Sequence, residues 1–145
     1  MSRGSDAAAT PERVLFLCVH NSARSQIAEG LARHAAPAGA QVWSAGSEPR
    51  SVHPMAIEVM REIGIELSDQ RSKSLDQVPW READTVVTLC GEAEEVCPVL
   101  PSQVRKLHWP LADPSLAAES EQREAFRRVR DEIGRRIAAL WRGAS

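Results

Sequence analysis

A chain of 145 residues has the length of one domain and can bury a single core. Eighteen Lys and Arg against 20 Asp and Glu leave a formal charge of -2, which excludes a broad basic field for nucleic acid or an acidic membrane and makes any anion site a local one. Three cysteines, an odd number, do not build a static disulfide framework and fit reactive thiols in a reducing compartment, so the protein is expected in the cytoplasm.

Residues 1–11 hold small and polar side chains without the apolar core of a secretory signal, and read as a flexible tail ahead of one domain over 12–145. No window approaches the roughly 18 apolar residues of a membrane-spanning helix. Val14-Leu15-Phe16-Leu17 is a continuous apolar run ending at Cys18, the pattern of a strand buried on both faces of a parallel sheet. A helix is expected from about Ser22 to His34, with Ile27, Leu31 and Ala35 on one face. Gln41 to Ala45 reads as the next strand. A second helix follows, with Pro54 in its first turn, Ile57, Met60 and Ile63 as its apolar positions and Gly64 as its stop. Thr85 to Leu89 and Val104 to His108 are the remaining strand candidates. From Ser120 to Trp141, Phe126, Val129, Ile133, Ile137 and Leu140 recur at helical steps, with Arg and Glu residues on the wet face. This alternation specifies an α/β fold with an open parallel sheet and right-handed crossovers, whose ligands sit beyond the carboxyl ends of the strands.

Cys18-Val19-His20-Asn21-Ser22-Ala23-Arg24-Ser25 joins the first strand to the first helix, where backbone N–H groups can curl around a tetrahedral oxyanion. The helix N-terminus and Arg24 both favour thiolate over thiol at Cys18, the expected nucleophile. Arg24 can also grip two oxygens of the anion with its planar fork. Ser25 can donate a hydroxyl hydrogen bond to the thiolate. His20 either orients the loop or faces water.

Cys90 ends the third strand on the same rim, and Cys97 follows seven residues later. A helix between them would hold the sulfurs roughly 10 Å apart along its axis, whereas a disulfide needs Cα atoms within about 7 Å. A Cys90–Cys97 bond therefore requires this segment, bracketed by Gly91 and Pro98, to change shape. Inert thiols are the plain alternative; zinc is not expected, because no close Cys-x2-Cys pair exists.

Cys18 to Ser25 resembles the phosphate loop of the low-molecular-weight tyrosine phosphatase fold. Within it, Asn21-Ser22-Ala23-Arg24-Ser25, Val42-Trp43-Ser44-Ala45-Gly46, Val52-His53-Pro54 and the Cys90/Cys97 spacing are similar to the thioredoxin-coupled arsenate reductases, over about Arg13 to Ser115. The resemblance implies a three-layer sandwich, a four-stranded parallel sheet with helices on both faces. It also implies reduction of arsenate to arsenite in arsenic detoxification: a Cys18–arsenate adduct, a Cys18–Cys90 disulfide, then a Cys90–Cys97 disulfide reduced by thioredoxin.

The substrate loop would be Val19 to Ser25, phosphate and sulfate its mimics, and Asp113 the general acid, although Asp113-Pro114 alone is equally a turn. No tightly bound cofactor, nucleic acid or membrane partner is expected, and the chain is taken as a monomer. Some members of the family hold potassium through residues matching Asn21, Glu29 and Ser44 and a Thr-x-Asp. Here Arg71 and Lys73 stand for the latter, so an ammonium paired with Glu29 is expected in place of potassium. The rival activity is a phosphatase acting on phosphotyrosine or small phosphate esters. Against it, the chain has no tyrosine, and Ser115-Leu116 follows the Asp-Pro.

Overall fold

The computed structural model describes residues 10–89 and 104–143. Four strands, β1 (Arg13–Cys18), β2 (Gln41–Gly46), β3 (Thr85–Thr88) and β4 (Arg105–His108), form one sheet in the order β2-β1-β3-β4. All three pairings are parallel. The α/β fold expected from the sequence is therefore observed, and the order puts the apolar run of β1 at the centre, where both faces are covered.

Alternation along β1 separates two cores. Val14, Phe16 and Cys18 point to the side on which α1 (Arg24–Ala35), α2 (Pro54–Arg61) and α3 (Gln122–Trp141) pack. Leu15 and Leu17 point to the other, where Ala45 and Val86 join them beneath Leu75, Val78, Trp80 and Ala83, residues in and beside two short 3-10 turns (Leu75–Gln77 and Trp80–Glu82). At the sheet edge, β4 is never fully buried and exposes Lys106 and His108, a charged face that discourages further strand pairing.

The α3 positions expected to be apolar, Phe126, Val129, Ile133, Ile137 and Leu140, are all buried. Three local expectations change. α1 begins at Arg24, because Ser22 is held in the preceding loop by the His53 N–H on its carbonyl (2.9 Å). Ala35 is exposed at the end of α1, and the stripe is completed instead by Ala28 and Ala32. Ile63 falls beyond the end of α2 and is 44% exposed, since Gly64 at φ +82° already turns the chain.

Candidate active site

The loop between β1 and α1 is held from outside by its carbonyls. The Glu48 N–H donates to Val19 (2.8 Å), the Arg50 N–H to His20 (3.0 Å), the Ser72 hydroxyl to Asn21 (2.6 Å) and the His53 N–H to Ser22. In a planar trans peptide the N–H of the next residue points opposite to the carbonyl. The amides that follow these carbonyls therefore turn toward the inside of the curl, an arrangement suited to cradling an anion. Asn21 adopts a left-handed conformation (φ 48°) that tightens the curl and that asparagine tolerates better than most residues. Gly46 at the end of β2 allows the loop to sit this close: a Cβ there would lie 2.5 Å from the Val19 carbonyl oxygen and 2.8 Å from the Asn21 nitrogen.

Cys18 is 6% exposed, with Sγ 2.8 Å from Ser25 Oγ. The Ser25 hydroxyl already accepts from Asn21 Nδ2 (2.7 Å), which leaves its own hydrogen for a Cys18 thiolate. The second Nδ2 hydrogen of Asn21 goes to Ser44 Oγ (2.9 Å), and Ser44 donates to Glu29 Oε1 (2.5 Å). Asn21 Oδ1 in turn accepts from the Lys73 N–H (2.8 Å) and from Gln26 Nε2 (3.0 Å). A chain of hydrogen bonds thus links a buried carboxylate to the sulfur, with the Asn21 amide donating in both directions from its middle. Glu29 is balanced by Arg33 (2.5 Å) and by Lys73, whose ammonium lies 3.5 Å away and also donates to the Arg71 carbonyl (2.7 Å). Burial pulls the Lys73 ammonium below its usual range, against the pull of Glu29. The expected Lys73–Glu29 pair is present.

Arg24 is 4% exposed and donates to the carbonyls of Leu111 (2.9 Å) and Leu89 (3.3 Å). These anchors lie past the ends of β4 and β3, and they fix the guanidinium 3.8 Å from Asp113 Oδ2. Asp113 caps a short 3-10 turn (Pro114–Leu116), its Oδ1 accepting from the Ser115 N–H (2.9 Å) and hydroxyl (2.7 Å). A cavity of about 220 Å³ joins Cys18, His20, Ser22, Ala23, Arg24 and Asp113. His20 borders it with Nδ1 3.0 Å from the Glu48 carbonyl, so it is tied to the loop. Val19, by contrast, packs against the core below.

Pro54 of α2 also borders the cavity, and Arg50, Ser51, His53 and Ser115, to which the sequence assigned no catalytic or binding role, complete the lining. Only His53 carried a signal, since a Pro at a helix start marks the residue before it as a cap. Cys90 and Cys97 lie outside the described residues. Leu89, just before Cys90, donates to the Leu17 carbonyl (2.9 Å), so β3 leaves the sheet on the rim that carries Cys18. Among the described residues no group of His, Cys, Asp and Glu is arranged to hold a metal, and no helix is long and apolar enough to cross a membrane.

A buried cysteine and an arginine lining one cavity beside a tightly curled loop, at the carboxyl edge of a four-stranded parallel sheet, define a class. The chain belongs to the low molecular weight phosphotyrosine protein phosphatase family, whose model matches residues 13–144. Within that class it is 48% identical over 126 residues to an arsenate reductase of Halalkalibacterium halodurans, across 86% of this chain and 91% of that one. A solved arsenate reductase in its phosphate binding state shares the fold with a TM-score of 0.78 and 34% identity, covering 92% of this chain and 99% of that one. A thioredoxin-dependent arsenate reductase of Corynebacterium glutamicum is similar at a TM-score of 0.68 and 34% identity, over 92% of this chain and 63% of the other.

Proposed function

We infer that this chain is an arsenate reductase that draws its electrons from thioredoxin. The observation that carries the reading is the Cys18–Ser25–Asn21 chain inside the amide cradle, with Arg24 and Asp113 lining the same cavity. The Cys18 thiolate attacks arsenic(V) held by the amides of the Val19 to Ser25 loop and by Arg24. Asp113 hands a proton to the departing oxygen, water leaves, and a sulfur–arsenic bond remains. Cys90 thiolate then attacks Cys18 sulfur. The sulfur–arsenic pair passes to arsenic, arsenite departs, and a Cys18–Cys90 disulfide forms. Cys97 thiolate displaces Cys18 from Cys90, which frees the nucleophile. Thioredoxin dithiol reduces the resulting Cys90–Cys97 disulfide, and no tightly bound cofactor or potassium is needed.

One domain over residues 12–145 carries this chemistry, as a cytoplasmic monomer. Arsenate-dependent NADPH oxidation with thioredoxin and its reductase tests it. Wild type is expected to turn over, Cys18→Ser to be inactive, and Cys90→Ser and Cys97→Ser to lose multiple turnover. Full turnover by either of the last two variants would refute the relay. A phosphatase using the same cradle would be indifferent to Cys97→Ser.

A further inference from the structure

Resting on the anion site read above, we propose that His53 is a further substrate-binding residue, whose Nε2–H donates to an oxygen of the tetrahedral anion held over Cys18. Three observations fix the ring. The His53 N–H donates to the Ser22 carbonyl (2.9 Å), which ties the residue to the cradle itself. Its Nδ1 accepts from the Met55 N–H (3.0 Å), so His53 caps α2 through one ring nitrogen. Its ring packs against Phe126 of α3 in a tilted contact, with ring centroids 4.8 Å apart and planes at 39°. The ring therefore has little freedom, and it borders the same cavity as Cys18, Arg24 and Asp113.

The cap decides the tautomer. A nitrogen that accepts from an amide carries no proton, so the single proton of the neutral imidazole resides on Nε2 and makes that atom a donor. Burial lowers the His53 pKa, with Asp113 pulling the other way, which favours this neutral form near pH 7. A neutral donor suits the site, because a second cation beside Asp113 would compete with Arg24 for the carboxylate and hold it ionised when it has to deliver a proton.

Two substitutions separate the cap from the donor. Asparagine is a good helix cap with a side chain too short to reach the place of Nε2, whereas glutamine puts an amide N–H near that place and caps poorly. The probe is inorganic phosphate, titrated calorimetrically into the reduced full-length protein, with the thermal midpoint of each variant measured alongside. His53→Asn, which keeps the cap and loses only the ring contact with Phe126, is expected to lower the midpoint less than His53→Gln and to bind phosphate about tenfold more weakly, the loss of one hydrogen bond to a charged group. His53→Gln is expected to lower the midpoint yet recover part of the affinity. Phosphate binding by His53→Asn within twofold of wild type, or affinities that merely follow the midpoints, would overturn the proposal while leaving the anion site intact. A wild type that binds no phosphate and consumes no arsenate would sink both.

Discussion

Glu29 and Glu62 each face more than one cation, and the two regions they organise could hardly differ more. Glu29 is 2% exposed and sits between Arg33, Lys73 and the Ser44 hydroxyl, at the foot of the chain that reaches Cys18. Glu62, just after α2, is 30% exposed and meets Arg127 (2.7 Å), Arg130 (2.8 Å) and Arg123 (3.7 Å) of α3. By geometry the second cluster is the richer. Glu62, Arg123 and Arg127 can exchange a partner for water, and Arg130, though only 11% exposed, keeps the Val59 carbonyl (2.8 Å) and Asp131 (2.9 Å) as further partners, so no single pair in this cluster is indispensable. Glu29 has no such alternative. Removing it strands an ammonium that is only 13% exposed and deprives Ser44 of its acceptor, so the buried cluster is where the fold and the chemistry depend on single residues.

The sharpest way to break this contrast is Glu29→Gln. It keeps the shape and removes the charge, and with Lys73 left uncompensated we expect a loss of about 3 kcal/mol, read from urea unfolding. Activity should fall as well, because an amide oxygen accepts the Ser44 hydroxyl more weakly than the carboxylate does and so orders the Ser44–Asn21–Ser25 chain less well. A cost no larger than that of Glu62→Gln would show that burial does not separate the two regions.

Gly46→Ala comes next. Its new methyl group would have to displace the Val19 carbonyl from 2.5 Å, and backbone cannot yield as a flexible side chain does. A cost of about 2 kcal/mol together with weakened phosphate binding is expected. Native phosphate affinity in that variant would mean that the cradle is not built on the close approach of β2.

The two regions also differ in how far the sequence announced them. β1, the cradle and Arg24 were readable because they are local: an apolar run, a cysteine and an arginine lie within a few residues of one another, and the parallel sheet followed from alternation. The cluster around Glu29 was readable only in outline. A glutamate in the middle of α1 carries no mark of burial, and its environment is made by Ser44 of β2 and by Lys73, which lie 15 and 44 residues away in the chain. Resemblance to a family suggested the Lys73–Glu29 pair; periodicity had no means to. The same holds for Arg50, His53 and Ser115, which meet Cys18 only once the loops at the strand ends fold together. Ile63 failed for the opposite reason. Its spacing suited the helix face, but Gly64 ended the helix first.

The smallest effect is the one that isolates the exposed region. Hydrogen bonding to Arg127, with further help from Arg130, holds the Glu62 carboxyl at about 2 in the folded state, against 4.5 for the ordinary side chain. A carboxyl with a depressed folded pKa contributes its stability in full above the unfolded value and loses it as the pH falls through the window between the two. Glu62 should therefore support the α2–α3 contact fully at neutral pH, and progressively less between about pH 4.5 and 2. Glu62→Gln should lower the neutral thermal midpoint slightly and flatten this acid limb. Both differences should shrink in about 1 M salt, where charges are screened beyond roughly 3 Å, while the effect of Glu29→Gln persists. An acid limb as steep in Glu62→Gln as in wild type would assign the acid sensitivity to other carboxylates and leave the exposed cluster with no measurable part in holding α2 against α3.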